Sequence, residues 1–257
     1  MSRKSICFSC FAVLFLLSAS MGWSLEIIVD NSDAGNIMVG SWDTVTSAVS
    51  TCWGSNKYTH VPGTGTDTFT WNVSLPAGWY RVDFRMNTNT TYARDAHYTI
   101  VHRDGVDNIV IDQQRASSTW YILGGAWYFD GTASITLSDN FTQGDIVVAD
   151  ALRFWSVFSF VQMSDSHFGY GEGNNDGARV AGELKTLGKM TLGTYGFDAP
   201  PPSFGIHCGD FTEYGQEYWN TCMTTFSGLP FPVYYVQGNH DATWSTCKER
   251  IKTLQGS

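Results

Sequence analysis

Three short polar clusters carry the residues with chemistry in this chain: Asp165-Ser166-His167, His207-Cys208-Gly209-Asp210 and Gly238-Asn239-His240-Asp241. Carboxylate, imidazole and amide groups are ligands for divalent cations, and a histidine titrates near neutrality, as proton transfer requires. Each cluster follows an apolar run of strand character. Phe158, Phe160, Val161 and Met163 precede the first, Phe204-Gly205-Ile206 the second, and Phe231 to Val236 the third. Two segments of helical pattern, Asn175 to Met190 and Tyr214 to Phe226, separate them. Strands alternating with helices predict a parallel sheet whose strands end on one edge, where open α/β sheets gather their chemistry. Asp165, His167, Asp210, Asn239 and His240 should therefore meet there. The plain alternative makes Asp165 and Asn239 turn residues and the histidines surface groups. Three clusters in order at three strand ends argue against it.

In this order and context the clusters resemble the calcineurin-like metallophosphoesterases. The resemblance implies a layered α/β sheet with helices over residues 156–257 and a centre of two divalent or trivalent metal ions, Mn, Zn or Fe. Asp165 and His167 would hold the first ion, Asp210 would bridge, and Asn239 would hold the second. His240 would assist the leaving group and Asp241 would orient His240. Substrates would be phosphate monoesters, diesters or nucleotides. The family also carries a later Gly-His-x-His motif, whereas no histidine follows His240 here. The expectation is thus a truncated domain, binding metal weakly and turning over little by itself. The alternative is a non-catalytic carbohydrate- or surface-binding module joined to an inactive phosphoesterase half.

These elements lie behind two other regions. Residues 1–24 begin with Arg3 and Lys4, continue through an apolar core from Ile6 to Leu17 and end with Ser18-Ala19-Ser20, the pattern of a secretory signal peptide. The run is too short to span a membrane comfortably, so export to the extracellular space or periplasm is expected, with no membrane span after cleavage. Cleavage removes two of the 15 basic residues and none of the 24 acidic ones, leaving a net charge of −11. A chain this acidic is a poor partner for nucleic acid. Cys52, Cys208, Cys222 and Cys247 remain. Export permits disulfides, four cysteines allow three pairings, and a Cys222–Cys247 bridge is one of them.

From residue 25 to about 155 the pattern turns to period two. Tyr80, Val82, Phe84 and Met86 alternate with Trp79, Arg81, Asp83 and Arg85, as in a strand half facing water. Further strands are expected at Glu26–Val29, Asp67–Val73, His97–His102, Asn108–Ile111, Trp120–Leu123, Ala133–Leu137 and Ile146–Phe154. Turn signals between them point to an antiparallel, jelly-roll-like β-sandwich. Ile27-Ile28-Val29-Asp30-Asn31, Ala96-His97-Tyr98-Thr99-Ile100, Gly124-Gly125-Ala126-Trp127-Tyr128-Phe129 and Val147-Val148-Ala149-Asp150-Ala151-Leu152-Arg153-Phe154 resemble the golvesin C-terminal-like, xanthan-lyase-type accessory domain. That resemblance implies an accessory unit of a secreted enzyme that binds polysaccharide. Trp42, Trp53, Trp79, Trp120 and Trp127 are candidate sugar platforms, with core packing the alternative for each and Trp79 the best exception. Asn72, Asn89 and Asn140 begin glycosylation sequons. In the second domain, Gly169, Gly171, Gly173 and Gly177 predict a loop at the rim of the site, and Trp244 to Leu254 a closing helix.

Overall fold

The computed structural model describes residues 13–15, 25–46, 52–54, 56–87, 89–115, 119–169, 173–188, 190–192, 197–212 and 217–241. Two compact units emerge: Ser18–Val157 with Thr191–Asp198, and Phe158–Met190 with Ala199–Ser257 and Met1–Leu17. Among the described residues no helix is long and apolar enough to cross a membrane.

The chain begins with β1 (Val13–Phe15). The first unit then contains β2 (Glu26–Val29), β3 (Ile37–Val39), β4 (Asp43–Thr46), β5 (Asn56–His60), β6 (Thr68–Ser74), β7 (Gly78–Met86), β8 (Ala96–His102), β9 (Gly105–Ile111), β10 (Thr119–Phe129), β11 (Thr132–Ser138), β12 (Val147–Ala149) and β13 (Leu152–Ser156). They form antiparallel sheets ordered β10-β7-β13-β2, β3-β6-β11-β8-β9 and β12-β5-β4. This is the expected sandwich, and its core is aromatic: Phe69, Trp71, Tyr80, Tyr98, Phe129 and Phe154 are all buried. The single strand expected at Ile146–Phe154 is two. β12 pairs with β5 while β13 pairs with β2 and β7, so the chain changes sheets at Asp150. Asp150 secures the crossing, its carboxylate accepting the Trp53 N–H and its carbonyl the Trp71 indole N–H. Short β3, β4 and β5 carry little apolar alternation and were not expected. Asp83, on the polar side of β7, is nonetheless buried, clamped by Arg81 at 2.9 Å and Arg153 at 2.6 Å.

Trp42 and Trp127 belong to this core. Trp53 is exposed, with its ring 5.3 Å from that of Trp120. Trp79 is half-buried against Tyr128, and the Arg103 guanidinium covers both rings.

The second unit holds β14 (Ser159–Met163), α1 (Gly173–Lys185), β17 (Pro202–His207), α2 (Glu217–Ser227) and β18 (Val233–Tyr235), while β15 (Met190–Leu192) and β16 (Phe197–Ala199) pair with each other and fall mostly in the first. β14, β17 and β18 are parallel and adjacent, as the alternation with helices requires. β1, from the apolar run read as a signal segment, lies antiparallel on β14. An edge strand offers a row of unpaired backbone groups to any β-prone segment within reach. The helix expected from Asn175 to Met190 ends at Lys185, where Thr186 and Leu187 make i to i−3 bonds and Gly188 follows. The expected rim loop is shorter too. Gly173 and Gly177 lie inside α1, and at Gly177 any Cβ would collide with the Phe168 ring. The Cys222–Cys247 bridge is not formed, because Cys222 is a free, buried thiol. The helix expected at Trp244–Leu254 lies outside the described residues.

Candidate metal centre

Register brings the three clusters to one edge. Met163 of β14 pairs with His207 of β17, and His207 with Tyr235 of β18. Asp165 therefore follows its strand end by two residues, Asp210 by three and Asn239 by four. Beyond the sheet the first two loops run on together. The Asp165 N–H donates to Gly209 O (3.1 Å), the His167 N–H to Asp210 O (3.0 Å) and the Phe168 N–H to Phe211 O (2.9 Å). Asp165, His167 and Asp210 all have left-handed backbones, with φ of 57°, 41° and 51°. Such conformations cost about 1–3 kcal/mol each outside glycine and persist where surrounding bonds over-determine them. Here the interloop ladder does so.

The result is a cluster in which ligand atoms of Asp165, His167 and Asp210 lie within 4.8 Å of one another. All three residues are half-buried. The His167 Nε2 is 3.8 Å from Asp165 Oδ1, and the His167 and His240 rings meet edge to face at 5.1 Å. Two carboxylates and an imidazole form a donor set suited to Mn, Zn or Fe. The His240 N–H donates to Asp210 Oδ1 at 2.8 Å, tying the third cluster to the second. Asn239, exposed, sits on the turn this bond holds.

Asp241 is bound to the backbone of its own and the neighbouring loop. Its carboxylate accepts the backbone N–H groups of Gly238 (2.8 Å), Asp210 (3.0 Å) and Thr212 (3.1 Å), so both oxygens engage backbone. Burial pushes the Asp241 carboxyl above its usual range, and the three N–H bonds oppose that. Asp241 clasps two ligand loops. Glycine makes this close approach feasible: a Cβ on Gly238 would strike the Asp210 backbone N and carboxylate, and Gly209 has a φ of 99°.

Under the site, Ser166 Oγ lies 2.9 Å from His207 Nε2, and both side chains are buried. Phe211, Phe226 and Tyr235 surround the imidazole. Burial lowers its pKa to about 4, with Asp165 and Asp210 pulling the other way, so the ring is neutral at pH 7. Ser166 and His207 thus link the first two loops from beneath. Neither was legible as a site residue. The one available signal was a histidine within an apolar run, directly before Cys-Gly-Asp.

Family models match two stretches of the chain: the golvesin C-terminal domain over residues 27–156 and the calcineurin-like phosphoesterase over residues 158–256. No curated protein matches. Among solved structures, a Paenibacillus xanthan lyase is 27% identical with a TM-score of 0.48, covering 51% of this chain and 13% of the lyase. A family 35 carbohydrate binding module from Clostridium thermocellum is 15% identical with a TM-score of 0.38, covering 51% of this chain and 98% of the module. A family 35 module from Cellvibrio japonicus is also 15% identical, with a TM-score of 0.37, covering 52% and 96%.

Proposed function

We propose that this chain, which belongs to the golvesin C-terminal domain family through residues 27–156 and carries a calcineurin-like phosphoesterase domain over residues 158–256, serves metal-dependent hydrolysis of phosphate mono- or diesters. The observation that carries this reading is the convergence of Asp165, His167 and Asp210 within 4.8 Å at the ends of parallel strands, with the His240 ring beside His167. In the proposed centre Asp165 and His167 would hold one ion and Asn239 a second, with Asp210 shared between them. When bound, such ions lower the pKa of an attacking water and neutralise the phosphoryl oxygens. The chain's own residues do the rest. Asp241 and the interloop bonds keep Asp165, His167 and Asp210 at their spacing before substrate arrives, so reorganisation costs little. His240, held through its backbone to Asp210, donates a proton to the departing alkoxide.

The residue 1–24 segment fits an export signal, and the sandwich, taken as residues 25–155, would direct the enzyme to a polysaccharide. Exposed Trp53 beside Trp120 is the aromatic surface that favours this second role. The test is turnover of an aryl phosphate and a bis-aryl phosphate with Mn²⁺ titrated in, for the parent and Asp210→Asn. Metal-dependent turnover that vanishes with Asp210→Asn is expected. Equal metal content and equal rate in the two proteins would remove the bridging role and the reading with it.

A further inference from the structure

A second group of ligating side chains lies in the sandwich, away from the phosphoesterase motifs. β6 and β11 pair with Ser138 opposite Thr68. One residue further out the ladder continues through the Asp139 N–H to Asp67 O bond at 3.0 Å. Asp67 and Asp139 are therefore cross-strand neighbours at the sheet end. Like charges directly opposite one another destabilise a strand pair. His60, the last residue of β5, reaches the same point, and ligand atoms of His60, Asp67 and Asp139 lie within 4.8 Å of one another.

Two features set this group apart from an ordinary surface ion pair. The Asp139 side chain is only 4% exposed. Its Oδ1 accepts the Gly65 N–H at 2.6 Å, while Oδ2 faces His60 Nδ1 at 3.9 Å and accepts no hydrogen bond among the described residues. A carboxylate so far out of water is costly unless it is paired, and the partners within reach are His60 and the Gly65 N–H. The second feature is the imidazole. His60 Nδ1 lies 2.6 Å from Val61 O and Nε2 3.0 Å from Asp67 Oδ2, so both ring nitrogens face oxygen acceptors. A neutral ring has one N–H. With that N–H given to the Val61 carbonyl, the other nitrogen turns a lone pair toward a carboxylate, the arrangement found where a metal-bound histidine is oriented by a backbone carbonyl. Trp42, its ring 5.2 Å from the imidazole, fixes the ring from the side.

We propose that His60, Asp67 and Asp139 form a binding site for a divalent transition-metal ion of the zinc class. One imidazole and two carboxylates make a three-residue set for zinc with room for a further ligand. Calcium, which takes six to eight oxygens, is poorly served by a histidine and two carboxylates. The ion would tie the ends of β5, β6 and β11 together and cancel the Asp67–Asp139 repulsion.

Zinc itself is the probe, and the full chain with Asp165→Asn, His167→Ala and Asp210→Asn is the host, so that the phosphoesterase cluster is silent. Equilibrium dialysis should find one zinc per chain in this host. Adding His60→Gln or Asp67→Asn should weaken that zinc by more than the roughly 10–100-fold that outer-shell changes cost. Zinc should also raise the thermal midpoint of the host and fail to raise that of either added variant, with metal-free melts showing that each variant folds. A host that holds no zinc, or zinc retained equally in a folded His60→Gln or Asp67→Asn protein, overturns the proposal. Either result would mark the group as a protonated histidine paired with two carboxylates.

Discussion

His240 and Asp241 are adjacent in sequence yet face different tasks, and substitution separates them. His240→Ala removes a ring that lies beside His167, while its backbone N–H can still donate to Asp210 Oδ1. Metal content should stay near that of the parent and turnover fall by roughly 10²–10⁴-fold, the usual range for a lost general acid. Metal analysis alongside aryl phosphate kinetics checks this, and loss of metal would recast His240 as a ligand. Asp241→Asn should do the opposite of a pure catalytic change. It replaces a charged acceptor of three backbone N–H groups by a neutral one with a single acceptor oxygen. Hydrogen bonds to charged groups contribute more than neutral ones, so a loss of about 2–4 kcal/mol in unfolding free energy is expected. Denaturant titration would measure it. An unchanged midpoint would remove Asp241 from its clasping role.

At the scale of elements, the site depends on loops that touch through glycine. At Gly238 a side chain has no room beside the Asp210 backbone. Gly238→Ala should push the third loop off the second and displace Asn239 and His240 together. Misplacement by about 1 Å can cost roughly 10²-fold in rate, and a loss of that order is expected with little change in the far-ultraviolet spectrum. Retained turnover would mean that the loops can separate without consequence. The parallel strands beneath need no such precision. β14 is buried on almost every residue, while β17 and β18 leave Ser203 and Tyr234 exposed, so it is the apolar runs themselves that made the segments before Asp165, Asp210 and Asn239 readable as strands.

Across the whole molecule, two buried ionisable groups give the two units opposite pH responses. His207 is neutral in the folded protein down to about pH 4, whereas in the unfolded chain it takes a proton near 6.5. Between those values the unfolded state binds the extra proton, so the second unit loses stability as pH falls from about 6.5 to about 4, by up to ~3 kcal/mol. Asp150, pushed up to about 7 by burial, is protonated when folded and ionised when unfolded from about pH 4 upward. There the folded state holds the extra proton, and the sandwich loses stability as pH rises through that window. Calorimetry from pH 4.5 to 7.5 should therefore resolve two transitions that shift in opposite directions. His207→Phe should flatten only the acid-sensitive one. Two transitions moving together would contradict the assignment.

Legible in the sequence were the features that depend on pattern along the chain. The period-two alternation of β7, the three apolar runs and the order of their polar ends are local, and local periodicity reports which face is buried. From them came the sandwich, the parallel sheet and the meeting of Asp165, His167 and Asp210 with the His240 ring beside them. Other features were decided only by which chain segments meet. Asp241 lies next to His240, yet its carboxylate is spent on backbone N–H groups of Asp210 and Thr212, some thirty residues away. His207 reads as one more strand residue until β14, β17 and α2 enclose it and bring Ser166 to its ring. His60, Asp67 and Asp139 carry no spacing signal, because their meeting depends on the β6–β11 register and on where β5 ends. Spacing in sequence limits reach, but only the closed fold sets which carboxylate faces which nitrogen.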